Sequence, residues 1–317
     1  MGYMDHLPPL PSSMFIMQNS KHVTIKLVER CRDHPLTPEN WLKHELTPNA
    51  ADDQAIECLL NFSFWSNTDA QFEVLYKGNV YTGYWALCAA VNRAMDEGID
   101  ILNPTVYQNI SDEQLKHIFR SCTTESIPLF HERLVALQNA GKTLLENFSG
   151  AFKNVLIKCD KSASKLLTLL CDYFPNFRDY TVYKGKNVSF MKRAQILVGD
   201  LWLCFEGKGP GYFQDADDIT AFADYRVPQV LHYFGVIQYS EDLITKIREE
   251  IDNGSEFEVE IRAATILAVH NIVKSLKSKN VDCNSILVDN FLWNYRRSHS
   301  DEIEAAIPMH RTRCVFY

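Results

Sequence analysis

The chain has 317 residues, 46% hydrophobic and 12% aromatic, which is enough apolar side chain to enclose a core, and a formal net charge of -8. That acidic balance argues against a partner gripped mainly through a phosphate backbone, because counterion release needs clustered Lys and Arg. No apolar run approaches the roughly 18 residues of a membrane span, and nine cysteines with no CxxC pair and no zinc-spaced histidines read as reduced thiols packed as small hydrophobes. The N-terminal MGYMDHLPPLPSS also lacks the charged-then-apolar order of a signal peptide, so a soluble cytoplasmic protein is expected. Gly2 opens a myristoylation frame, but His6 stands where Ser or Thr is required.

Residues 1–12 carry three prolines and are expected to form a flexible arm, with residues 13–317 as a single domain. Thr47 to Asp53 reads as a loop and helix start, followed by Ala55, Ile56, Leu59 and Leu60 on one helical face. The alternation from Gln71 to Tyr81, around a Lys77-Gly78-Asn79 turn, predicts a β-hairpin. Helical periodicity then dominates: 84–95, 112–122, 128–140, 163–171, 240–251, 256–274 and 285–297. The stretches 150–160 and 180–186 are too short or irregular to assign. No repeat of fixed period divides the chain. The expected architecture is mainly α with a small β-hairpin.

The most informative stretch is Arg193 to Gly235. Ile196, Leu197, Leu201, Leu203 and Cys204 turn at helical period and predict a buried helix, which Gly207-Lys208-Gly209-Pro210-Gly211 stops, because glycines supply positive φ and Pro210 cannot continue the ladder. Asp215 to Asp218 reads as the N-cap and first turn of a second helix, interrupted at Pro228. Asp224, Tyr225 and Arg226 stand at that joint, a place from which side chains can be aimed into a cleft.

RAQILVGDLW, FEGKGPGYF and DDITAFADYRVPQVL, together with KHELTP from Lys43, LNFSFW from Leu60, VDNFLW from Val288 and the closing HRTRCVFY, resemble the queuosine salvage family of queuosine 5′-phosphate N-glycosylase/hydrolases. The matching blocks run from Lys43 to the last residue. The resemblance implies a helix-hairpin-helix fold like that of the DNA glycosylases, with the 193–235 stretch as its defining element. It also implies hydrolysis of queuosine 5′-monophosphate to release queuine without metal or organic cofactor. The partner is then a small molecule and neither a nucleic-acid polymer nor a membrane; oligomeric state is not legible. The terminal Cys314-Val315-Phe316-Tyr317 has a prenylation outline, but Tyr lies outside the usual final residues and the resemblance implies a docked aromatic tail.

Cleaving an N-glycosidic bond builds positive charge at the anomeric carbon, so a carboxylate must lie beside it and the departing base needs help. Asp224 at the joint and Asp289 in the apolar SILVDNFLW are the two candidates. Alone, Asp289 reads equally as an outward or capping residue. The resemblance maps base-binding residues onto Phe222, Asp224, Asp289, Asn290 and Asn294, and a further substrate contact onto His44. A lone histidine such as His44 is more often a packing residue. On a helix at about 100° per residue, Asp289, Asn290 and Asn294 span an arc of about 140° that one cleft could reach. Phe222 can stack on a base plane.

Queuine is a 7-deazaguanine, so protonation at the purine N7 is unavailable and the leaving group must be activated elsewhere on the ring. Its secondary amine suits an acidic pocket, and Asp215 to Asp218 could serve, with capping as the plainer role. For the 5′-phosphate, Lys208 with the helix start after the hinge is the first candidate, and Arg226, Arg311 and Arg313 are alternatives. A DNA-repair-type glycosylase and a non-catalytic nucleoside-binding helical module are the competing readings.

Overall fold

The computed structural model describes residues 14–16, 27–31, 36–37, 44–48, 50–67 and 70–317. The expected arm at 1–12 lies outside them, as does Lys43. Among the described residues the protein is mostly helical, with three small two-stranded antiparallel sheets. The chain divides into two compact units, one drawn from 1–41, 179–195 and 215–314, the other from 42–178, 196–214 and 315–317.

The first strand, β1 (Met14–Ile16), belongs to the first of these units and pairs with a strand more than two hundred residues later. The second unit opens with α1 (Ala51–Leu60), whose buried face includes Ile56, Leu59 and Leu60. The hairpin β2 (Glu73–Tyr76) and β3 (Asn79–Thr82) follows, with Lys77 and Gly78 both at positive φ, the backbone that a two-residue turn of the primed type requires. Next come α2 (Tyr84–Asp96), α3 (Pro104–Tyr107), α4 (Asp112–Ile118), α5 (Phe130–Asn147), α6 (Lys153–Cys159) and α7 (Ala163–Tyr173). Helix α4 stops four residues short of the expected Cys122, because Cys122 N–H is used on the hairpin, donating to Glu73 O at 2.9 Å. The unassigned 150–160 stretch contains α6.

LNFSFW is not helical beyond Leu60. The fully buried Arg133 of α5 donates to the carbonyls of Leu60 and Phe62 and, at 2.9 Å, to Pro128 O, and its guanidinium lies 4.1 Å from the Phe62 ring. Ser63 N–H donates to Tyr317 O at 2.9 Å, and Tyr317 is buried, as a docked tail requires.

The second unassigned stretch forms another hairpin, β4 (Tyr180–Tyr183) and β5 (Lys186–Ser189), turned by Lys184-Gly185 at positive φ just as Lys77-Gly78 turns the first. Helix α8 (Lys192–Cys204) then carries the chain across the division between the units at residue 195. It ends where Glu206 and Gly207 adopt positive φ, and Gly207 N–H donates to Trp202 O at 2.7 Å. A Cβ on Gly211 would sit 2.3 Å from Leu201 O and 2.8 Å from Phe205 Cβ, so only glycine lets the chain fold back on the helix end.

Two expectations for this stretch are corrected. Asp215 to Asp218 does not open a helix: Ala216–Asp218 is a single 3-10 turn without a side-chain cap, and Asp217 instead pairs with Lys277 at 2.8 Å. Pro228 does not interrupt a helix but opens one, since α9 spans Val227–Tyr233 with the proline in its first turn, where its missing N–H costs nothing. The first unit continues with β6 (Ile237–Tyr239, the partner of β1), α10 (Glu241–Lys246), α11 (Glu256–Lys277), α12 (Ser285–Ser298) and α13 (Ser300–Ala306). Helix α10 is shorter than the expected 240–251. Ile251 N–H donates to Arg311 O at 2.7 Å, and an isolated bridge between Glu250 and Arg311 takes the chain out of the helix.

Two buried groups give the fold a pH signature. Glu57 is almost fully buried with Cys88 Sγ donating to its Oε2 at 2.5 Å, and burial pushes its carboxyl up to about 8, with Asp53 and Asp200 adding to the rise. Burial also holds the neutral His310 ring down at about 3. The signs oppose. Glu57, raised in the fold, contributes stability present below about 4.5 and lost as pH rises to about 8; His310, depressed, contributes stability above about 6.5 that is lost on acidification. Between pH 6.5 and 8 only the first of these acts, so urea denaturation should show stability falling across that window. Glu57→Gln should flatten the slope, and an unchanged slope would refute the assignment.

Candidate active site

The residues marked by the sequence divide between the units: Phe222, Asp224, Asp289, Asn290 and Asn294 lie in one, His44 and Lys208 in the other. Within the first unit they are held by two packed elements. Helix α12 starts with Asn284 as N-cap, its side chain accepting from Leu287 N–H, and buries Ile286, Val288, Phe291 and Leu292. Asp289 falls on this buried side at 3% exposure, and its Oδ2 accepts Phe222 N–H at 2.8 Å. The outward and capping readings of Asp289 are therefore set aside. One turn on, Asn294 Nδ2 donates to Asn290 Oδ1 at 3.0 Å, with both residues half-buried.

The second element is the irregular 219–225 segment. Gln195 of α8 binds its start, accepting from Thr220 N–H at 2.8 Å and Thr220 Oγ1 at 3.0 Å. Arg262 of α11 binds its middle, donating Nε to Ala223 O at 3.0 Å. Asp224 ends it. Its Oδ1 accepts from Arg226 N–H at 2.8 Å and Val227 N–H at 2.9 Å, capping the orphan donors at the start of α9, while Oδ2 accepts no hydrogen bond among the described residues. The joint is thus held by the carboxylate itself.

Sequence reading alone does not single out Lys192. Its backbone N–H donates to Asp179 Oδ2 at 3.1 Å, and its side chain is buried at 6% exposure within the field of both Asp224 and Asp289. Burial holds this amine below the ordinary lysine range, Arg193 and Arg262 push the same way, and the two carboxylates oppose them. A signal does exist: a lysine at the first position of an apolar helix, in MKRAQILVG, buries its amine if the helix start is buried.

Arg262 ties these parts together. It is 1% exposed, sits 4.1 Å from the Phe190 ring, and donates to Asp179 Oδ1 at 2.9 Å, Asp179 Oδ2 at 2.5 Å and Glu258 Oε1 at 3.2 Å. One guanidinium therefore holds both the aspartate that caps Lys192 and the segment that carries Phe222 and Asp224.

In the other unit, His44 is half-buried and stacks on Trp85 at 4.1 Å, with the Tyr81 ring edge-on at 5.9 Å. Its Nδ1 accepts Leu46 N–H at 3.2 Å, which places the neutral ring's proton on Nε2 as a donor. Packing and ligand contact are thus compatible in one ring. Lys208 is 77% exposed and lies 3.3 Å from Glu206 Oε2, and the hinge after it is a three-residue 3-10 turn. The helix start expected beside Lys208 does not exist. Among the described residues no group of three or more His, Cys, Asp or Glu could hold a metal ion, and no helix is long and apolar enough to cross a membrane.

A family profile described as "Queuosine salvage protein" matches residues 55–317. The chain is 44% identical to the queuosine 5′-phosphate N-glycosylase/hydrolase of Mus musculus, covering 98% of this chain and 99% of that protein. It is 39% identical to the protein of the same name from Schizosaccharomyces pombe, over 87% of each chain. It is 35% identical to that of the bacterium Sphaerobacter thermophilus, over 99% of this chain and 98% of that one.

The Arg262 clamp yields a stability prediction. Arg262→Met keeps the bulk of the side chain but leaves Asp179 and Glu258 as buried carboxylates without their counter-charge, a change that costs about 3–5 kcal/mol. Urea denaturation should show a loss of that size, partly restored in Arg262→Met/Asp179→Asn. A loss under about 1 kcal/mol, typical of an exposed pair, would show the network to be incidental.

Proposed function

The chain belongs to the queuosine salvage protein family, and from that premise we propose that it hydrolyses queuosine 5′-monophosphate, releasing queuine for salvage into tRNA modification. The observation that carries the reading is the buried Asp289 carboxylate hydrogen-bonded to Phe222 N–H, which joins a charge that suits the anomeric carbon to a ring that suits the base plane. The bond from C1′ to the base nitrogen breaks, the oxygen of water bonds to C1′, and one water proton ends on the departing base. Products are queuine and ribose 5-phosphate.

In this mechanism Asp289 stabilises the positive charge growing at the sugar, and Asp224, through the oxygen not used in capping, orients the water or reads the base edge. Lys192 answers the need left by the missing N7. A buried amine of lowered proton affinity, facing two carboxylates, can hydrogen-bond to the leaving base and yield a proton to it. Asn290 and Asn294 read the polar edge of the base. The net charge of -8 supports a free nucleotide over a nucleic-acid polymer as substrate, and nine free thiols support a reducing cytoplasmic setting. We read α8, the glycine turn and α9 as the helix-hairpin-helix element of a DNA-glycosylase-like fold.

Asp289→Asn tests the reading, because Asn Oδ1 can still accept Phe222 N–H and keep the local fold. Chromatographic assay of queuine release should show turnover lowered by at least about 100-fold, the usual worth of one electrostatic stabiliser of a transition state. Near-wild-type release would remove Asp289 from the mechanism. For Phe222→Ala, calorimetry should show queuine affinity weakened by about 1–3 kcal/mol, the worth of a base–aromatic stack. Unaltered affinity, with only thermal stability reduced, would make Phe222 a core residue.

A further inference from the structure

A nucleotide substrate brings a 5′-phosphate that a cationic side chain can bind, and the structure sorts the available ones. Lys208 is solvated and paired with Glu206, and Arg311 donates to Arg248 O at 3.0 Å. Arg313 is pulled below the ordinary arginine range by burial and faces Glu250. Several other cations of the unit that carries Asp224 and Asp289 have carboxylates: Arg262 has Asp179 and Glu258, Arg296 has Glu304 at 2.6 Å, Lys184 has Glu260 at 3.7 Å, and the buried Lys192 lies in the field of Asp224 and Asp289 themselves.

Arg226 differs. It is half-buried, two residues from Asp224, and among the described residues no carboxylate lies within ion-pair distance of its guanidinium. The guanidinium rests 5.7 Å from the centre of the buried Tyr225 ring. It also adds to the electrostatic load on the buried Arg296, whose single ion pair with Glu304 leaves the two guanidiniums in positive excess. Holding like charges together in a partly dry place is unfavourable unless an anion joins them. The backbone of Arg226 is fixed as well, since its N–H is bound by Asp224 Oδ1 at 2.8 Å. A planar guanidinium with a fixed root and an aromatic backing can offer two parallel N–H donors to phosphate oxygens.

We propose that Arg226 is the anchor of the substrate's 5′-phosphate, so that one dipeptide step from Asp224 carries both the chemistry and the nucleotide preference. This rests on the hydrolase reading above. Arg226→Ala should lower the ratio of kcat/KM for queuosine 5′-monophosphate over queuosine by about 10- to 100-fold, the worth of a charge-assisted hydrogen bond, with Arg226→Lys in between because it keeps charge but not the fork. Ribose 5-phosphate titrated calorimetrically into wild type and Arg226→Ala reads the same interaction without turnover, and its affinity should fall by a similar factor. Equal losses on nucleotide and nucleoside, or unchanged ribose 5-phosphate affinity, overturn the proposal. So does a ratio that collapses in Lys208→Ala and not in Arg226→Ala, which returns the phosphate to the glycine turn. A wild type that binds ribose 5-phosphate through Arg226 yet releases no queuine from either substrate defeats the hydrolase reading and leaves the anchor standing.

Discussion

A single hydrogen bond, Phe222 N–H to Asp289 Oδ2 at 2.8 Å, sets the geometry on which the rest depends. A carboxylate at 3% exposure in an apolar helix is costly, and it persists only with donors and cations around it. Here the donor is the backbone of the segment that carries Phe222, so the same bond that makes Asp289 tolerable also places that ring. The opposing helix supplies no freedom to slip, because Asn284 caps its start and four apolar residues seat it. The Asp289 carboxylate is thereby built into the packing.

Asp224 shows a related economy. Its Oδ1 is occupied by two backbone donors, as at any helix start with a side-chain cap, yet a cap can be supplied by Ser or Thr without a charge. What Ser and Thr cannot supply is the second carboxylate oxygen, which accepts nothing among the described residues. Lys192, Arg193 and Arg262 bring positive charge into the same unit as the two buried aspartates, and the two carboxylates in turn act on the Lys192 amine. The acid pair and the amine are mutually dependent: burial weakens the amine's hold on its proton, and the carboxylates limit how far.

Much of this is legible in the residues, for identifiable reasons. Helix α12 and the buried stretch of α8 follow from apolar spacing, and the first hairpin follows from alternation around Lys77-Gly78. The second hairpin carries the same Lys-Gly turn but escapes pattern reading because its second strand, KNVS, holds a single apolar residue, Val188, and so shows no alternation. The acidic run misleads because carboxylates before an apolar stretch resemble a cap, whereas Asp217 is spent on Lys277 and the real cap is Asp224, placed by the hold of Arg262 on the neighbouring backbone. Lys192 is hidden since a lysine at a helix start is ordinarily exposed, and only the fold shows that this start is buried.

The measurement that reaches the central claim most directly is a crystal structure with queuine bound. It should show the deazaguanine plane stacked on Phe222, its polar edge within about 3 Å of the Asp224 or Asp289 carboxylate, and the Asp289 to Phe222 N–H bond intact. Queuine seated away from α12, or a base edge met only by water while both aspartates point elsewhere, would contradict the assignment of these carboxylates to the chemistry.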